Sequence, residues 1–432
     1  MEPADRLAMT PPGFRMTDPS RLGVRFLVLS GLVLVATVVL PMDPAAAPDR
    51  VLLGTLLVIV PGMLGGFGNS LLLRGIGASR VALSWAAAAS LWIVVAAVAL
   101  ATAGGALNDP RLLRFASLAA ACAAVLLAVN HVATIAVMPP CLPMLRTAPF
   151  FVWGVLASSI AVLLFVPMLA GAITVLGMDT VLSDAALSPA MPIMLPPLAI
   201  IAVAPAVGLL ADVALPNADA LWWIRARYGL LAVALVSVVV WAHQFLAWHD
   251  VEWFVAVGAS LLIAGLLPML REHDELDAAR LWVQGAVFVF LTAIAAEFVL
   301  LAKNVPGSFG HFQAALCLGC VFAGFAGFYR WCERLCGCSI REGWGRAHFA
   351  TAFVGVNLTL LPAHLVTVAP GLAGPLGAAS FRLVQTVGTG FMTVSLIVFA
   401  AGLVEALVAS GAVPERGGRE VRHGNQVRAR RP

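Results

Sequence analysis

A chain of 432 residues that is 61% hydrophobic and only 11% charged, with a mean hydropathy of +0.97, is too apolar for a soluble domain, which sits near half apolar and a quarter charged. The net charge of +4 is too small to point to a nucleic-acid partner, and with Lys303 as the single lysine the positive charge rests on arginine. The composition selects an integral membrane protein and excludes a secreted disulfide scaffold, because the seven cysteines fall at irregular spacings.

Runs of about 20 apolar residues, enough to cross a bilayer, recur along the chain and predict twelve membrane-spanning helices. They start near Gly23, Val51, Val81, Arg114, Phe150, Pro189, Trp222, Val251, Ala279, Phe309, Ala347 and Phe381. The predicted organisation is a cytoplasmic arm over residues 1–22, one helical membrane domain over 23–411 and a basic, polar, disordered tail over 412–432 that is drawn to anionic headgroups. The first apolar run follows too long a leader for a signal peptide and is read as a retained helix. Arginines set the orientation. Arg21, Arg25, Arg74, Arg80, Arg146, Arg225, Arg227, Arg271, Arg280, Arg330, Arg334, Arg341 and Arg346 fall in alternate connections together with the tail, whereas the opposite connections hold few, among them Arg50, Arg111 and Arg382. The positive-inside rule then places both termini in the cytoplasm.

Ionisable and imidazole groups inside a bilayer are costly and are candidate sites by default. The list comprises His131, His243, Glu297, His311, His364 and Glu405. For His131, Glu297 and Glu405 the expectation is an interhelical hydrogen bond or a side chain reaching the interface. Asn357 and His364 are expected to bond neighbouring helices, His348 to be solvated near a helix end, and Cys317 and Cys320 to pack one turn apart. Cys332, Cys336 and Cys338 fall in a predicted cytoplasmic segment where thiols stay reduced, at a spacing that matches no zinc pattern. Two stretches stand out. "VVWAHQFLAW" sets His243 beside Gln244, and "GHFQAALCLGCVFAGFAGFYRW" sets His311 two residues before Gln313. Residues two apart on a helix with 3.6 residues per turn point to opposite sides, so 311 and 313 address two different partners.

On these residues the chain resembles subunit I of the haem–copper oxidases, the cytochrome c oxidase family. "TDPSRLGVRFLVLSG" and "VPGMLGGFGNSLLLRGIGASRVA" are similar to its first two helices, "VNHVATIAVMPP" and "PFFVWGVLASSIAVLLFVPMLAGAIT" to its fourth and fifth, and "FAGFAGFYRW" and "GWGRAHFATAFVGVNLTLLPAHL" to its tenth and eleventh. The resemblance implies an all-α bundle of twelve helices. It also implies a set of metal-binding histidines, of which this sequence keeps only two of six. His243 stands at a copper ligand and His311 at the axial ligand of the high-spin haem. Gln244 and Ser188 stand at the other copper positions, and Gln313 and Arg50 at the two ligands of the low-spin haem. An amide is a far poorer ligand than an imidazole for these metals. At the other positions the resemblance assigns, Ala190 stands at the proton-carrying glutamate, Pro192 at the tyrosine, and Arg80 and Leu270 at the proton-channel entrances. Lys303 and Asn304 stand near the magnesium site, and "LVTVAPGLAG" lacks the arginine pair that holds the haem propionates.

Oxygen reduction needs an electron-entry haem, a haem–metal centre and a proton supply together. The reading that follows is a non-catalytic paralogue in a bacterial-type cell membrane, with the lipid bilayer and other respiratory-complex subunits as partners and no cofactor. Two alternatives stay open. In one, a reduced haem protein holds a single haem on His311, with Met191 and Met194 as softer donors nearby; in the other, a transporter uses the vacated cofactor spaces.

Overall fold

The computed structural model describes residues 18–39, 52–107, 109–137, 147–176, 187–215, 226–232, 235, 267–270, 276–302, 309–368 and 375–411. Every element among them is helical, as expected where lipid offers the backbone no hydrogen bonds and each segment must satisfy its own. Ten long helices are α1 (Asp18–Val39), α2 (Leu52–Ile76), α3 (Ser84–Leu107), α4 (Pro110–Val137), α5 (Phe150–Leu176), α6 (Leu187–Ala214), α7 (Ala278–Ala302), α8 (Phe309–Cys336), α9 (Glu342–Val368) and α10 (Pro375–Ala409). Nine stretches of the described residues are long and apolar enough to cross a membrane. Ten of the twelve predicted starts fall near these helices. The spans predicted from Trp222 and Val251 lie outside the described residues, apart from 226–232, 235 and the short turn Leu267–Leu270.

Local chemistry sets several ends. Asp109 accepts the Arg111 amide at 2.9 Å ahead of α4, which begins at Pro110, and Asp277 accepts the Arg280 amide at 2.8 Å ahead of α7. An aspartate just before the first turn satisfies amides that have no partner within the helix, and proline tolerates the first position because it lacks one. The end of α2 is closed by Gly77 at φ 69, whose amide bonds Arg74 O at 3.3 Å while the Ala78 amide bonds Leu73 O at 2.8 Å. That paired closure requires the left-handed backbone that glycine adopts without a Cβ penalty.

Sequential neighbours form most of the packing. α3 lies on α4, α5 on α6, α7 on α8 and α9 on α10, with α6 also packed along α8. α2 is the central rod. Almost all of its length is buried, and it touches α1, α4, α5, α6 and α8. Within it, Thr55–Ile59 and Pro61–Gly68 adopt π-helical hydrogen bonding, a wide turn that is rare and usually confined to single bulges.

The α5–α6 seam is a close one. The Ser158 hydroxyl donates to Ile201 O at 2.7 Å. A Cβ on Gly208 would lie 2.7 Å from the Phe151 Cα and 3.0 Å from the Phe150 carbonyl oxygen, and one on Gly154 would strike the Ala204 carbonyl. Close backbone approach through small residues is the general device for packing helices in lipid. Asp212 of α6 completes the seam. Its two carboxylate oxygens accept the amides of Phe150 and Phe151 at 2.8 and 2.9 Å, so an acid on one helix caps the positive end of the next. Arg227 closes the far side by donating to Ala148 O at 2.8 Å.

Replacing Asp212 with alanine strands two amides in a buried place, at a cost of about 1–3 kcal/mol for each unsatisfied group. A lowered midpoint in detergent thermal unfolding is the expected result, with Asp212→Asn recovering part of the loss. An unchanged midpoint for Asp212→Ala would show that the cap contributes nothing.

Candidate functional site

The residues singled out by the resemblance divide by what the structure describes. Arg50, His243, Gln244, Lys303 and Asn304 lie outside the described residues. Ser188, Ala190, Met191, Pro192 and Met194 are placed on α6, His311 on the first turn of α8 and His364 on α9, with their side chains outside the description. Gln313 is described fully and is completely buried.

Gln313 sits two residues after His311 on α8, its amide enclosed by the bundle. The Cys317 thiol one turn further along is a polar neighbour of the amide. Across the seam, Thr55 Oγ1 of α2 meets Cys317 Sγ at 3.1 Å. Helices α2 and α8 are therefore in side-chain contact one turn beyond Gln313. The resemblance puts an imidazole ligand of the low-spin haem at this position, and residue 313 instead offers a carboxamide beside a seam closed by a hydroxyl and a thiol. On this side of α8 the residues present do not fit that haem.

A cavity of about 20 Å³ lies between α2, α4, α5 and α6, walled by Leu56, Val60, Val162, Phe165 and Leu198 among others. Such a volume holds roughly one water, and a wholly apolar wall gives that water nothing to bond. It is far too small for a porphyrin or a transported solute. Among the described residues no group of three or more histidine, cysteine, aspartate or glutamate side chains is arranged around a metal position.

The other candidates meet mixed fates. Glu405 makes an interhelical hydrogen bond, accepting from Trp344 Nε1 of α9 at 2.6 Å, and pairs with Arg341 Nε at 2.9 Å. Arg80 and Leu270, which the resemblance puts at the two proton-channel entrances, are both exposed. Asn357 donates to Phe353 O of its own helix at 2.8 Å rather than to a neighbour. His131 is fully buried against Gly68 of α2, and neither ring nitrogen finds a partner among the described residues. The expectation of a solvated His348 is overturned. The ring is completely buried, with Nδ1 3.0 Å from the Tyr329 hydroxyl, and is walled by Trp282, Phe325 and Phe399 at centroid distances of 4.6, 4.6 and 5.0 Å. Helices α7, α8, α9 and α10 meet there, and the bundle's aromatic rings close over the position that simple distance from the helix end left in water.

Two elements of the site region escaped the sequence reading. Asp212 was hidden because "GLLADVAL" reads as a continuous apolar run with one acid near its end. An acid in that place should have been paired in advance with the start of a neighbouring helix. Thr55 was hidden because a lone threonine in a leucine-rich span carries no signal until its partner is known.

Comparison with known proteins agrees with the architecture. The family model described as "Cytochrome C and Quinol oxidase polypeptide I" matches residues 52–404. The chain is 26% identical over 419 residues to "Cytochrome c oxidase subunit 1" of Cereibacter sphaeroides, covering 82% of this chain and 73% of that protein. It is 26% identical over 460 residues to "Probable cytochrome c oxidase subunit 1-beta" of Nocardia farcinica, covering 89% and 78%. With "Cytochrome c oxidase subunit 1" of Synechocystis sp. the identity is 28% over 268 residues, covering 55% and 49%. An all-helical polytopic membrane bundle matched over most of its length in this way belongs to the cytochrome c and quinol oxidase polypeptide I family.

Proposed function

We propose that this chain is a non-catalytic member of its family, a structural or regulatory partner within a respiratory complex of a bacterial-type cell membrane, with both termini in the cytoplasm. The observation that carries the reading is Gln313. A fully buried carboxamide beside the Cys317 thiol occupies the position where the resemblance puts an iron ligand, and the Thr55–Cys317 contact closes the helix seam next to it. The identities of Arg50, Ser188 and Gln244 at further ligand positions add to it. Large apolar side chains exposed on α1, α3 and α10, such as Leu32, Trp92 and Ile397, suit a lipid or partner-subunit boundary.

His311 keeps one reading alive beside it, in which a single haem is held on the other side of α8 and serves electron transfer. A reduced-minus-oxidised spectrum and a pyridine haemochrome assay, with iron and copper counted per chain on the same purified sample, decide between them. The expected result is neither haem nor copper in stoichiometric amount. Haem near one per chain that disappears in His311→Ala would overturn the non-catalytic reading and establish the reduced haem protein.

A further inference from the structure

The end of α8 and the residues just past it carry three thiols that the oxidase reading does not use. Trp331, at φ −118 and ψ 17, breaks the helical path just before them. Cys332 and Cys336 follow in the closing turn, and Gly337, at φ 72, ends the helix with its amide on Glu333 O at 2.9 Å. In a left-handed closure of this kind the residue after the glycine folds back on the side chain four or five positions before it. Here that residue is Cys338, and it folds back on Cys332. Both are nearly buried, in a small cluster with Ala406 of α10, while Cys336 is half-buried at its edge. The Cys332 thiol lies within hydrogen-bonding reach of both other thiols, and none of the three is in a disulfide.

The three do not make a metal site, since no such group among the described residues is arranged around an ion. Pairwise chemistry remains, and geometry chooses the pair. Side chains four apart on a helix hold their Cβ atoms about 5–6 Å apart, whereas a disulfide needs roughly 3.5–4.5 Å. Cys332 and Cys336 cannot meet without unwinding the turn. Cys338 lies past the helix end, where the backbone has no ladder to break.

We propose that Cys332 and Cys338 form a dithiol site that a low-molecular-weight disulfide of the glutathione class oxidises, closing one S–S bond across the corner between α8 and α9. Two S–H bonds are lost and one S–S bond is formed in the protein. The oxidant's own S–S bond is cleaved to two thiols, which take up the two protons and two electrons. The bond ties residue 338 to α8 and fixes the corner that leads to Arg341 and Trp344, both bonded to Glu405 of α10. Burial pushes the Cys338 thiol up from its ordinary value, which lowers its thiolate fraction and slows its reaction with the oxidant.

The sequence supplies the assay. Trypsin cuts after Arg330, Arg334 and Arg341, which puts Cys332 in one peptide and Cys336 with Cys338 in the next. The full chain in nanodiscs is reduced, equilibrated with oxidised glutathione, trapped with N-ethylmaleimide, digested and read by mass spectrometry. The expected product is the two peptides cross-linked, retained in Cys336→Ser and lost in both Cys338→Ser and Cys338→Ala. Survival of the cross-link in the Cys338 variants, its loss in Cys336→Ser, a disulfide confined to the second peptide, or glutathione adducts alone would each overturn the proposal.

Discussion

Gly208→Leu is expected to leave no folded protein, which fluorescence-detected size exclusion of a tagged chain reads as loss of the monodisperse peak. The Cβ alone would sit 2.7 Å from a backbone Cα and 3.0 Å from a carbonyl oxygen of α5, and backbone cannot swing aside as a side chain can. The helices would have to part along their length. Parting them removes the Ser158–Ile201 bond and pulls Asp212 away from the amides of Phe150 and Phe151. Gly105, with open space around its Cβ position, is the matched control. Gly105→Leu should behave as wild type, and a normal peak for Gly208→Leu would mean that the α5–α6 seam is looser than described.

Trp282→Ala is expected to cost about 3–5 kcal/mol, the usual range for deleting a large buried aromatic. The indole of α7 is fully buried, and its ring centroid lies 4.8 Å from both Phe322 and Phe325, 4.6 Å from His348 and 5.5 Å from Phe349. It thus joins three helices through a single side chain. Removing it opens a cavity that four rings line, and the His348 imidazole loses one wall of its enclosure. Thermal unfolding in detergent should show the loss, with Trp282→Phe recovering much of it. A midpoint within error of wild type for Trp282→Ala would contradict the packing role.

The helices were legible because a bilayer imposes a length and a polarity that single residues rarely override. The predicted starts near Val51, Phe150 and Phe309 fall within one residue of α2, α5 and α8. What the apolar pattern could not contain was the interior pairing. Nothing in a run of leucines and alanines tells which face meets which helix, so the Asp212 cap and the Thr55–Cys317 contact stayed invisible, and so did the wide turns of α2, which share the composition of ordinary helix. His348 was misread for a related reason. Its distance from the helix end could be counted, but the rings of Trp282, Phe325 and Phe399 come from three other helices. Gln313 was legible as a singular position only through the family resemblance, and the structure adds its complete burial.

An imidazole held deep in the bundle at position 131, with neither ring nitrogen partnered among the described residues, is also a weak point in the packing. It carries a desolvation cost of roughly 1–3 kcal/mol that an apolar group of similar shape does not. Position 131 is accordingly the natural place to begin hardening the protein for purification, since phenylalanine there keeps the volume and discards the stranded dipole.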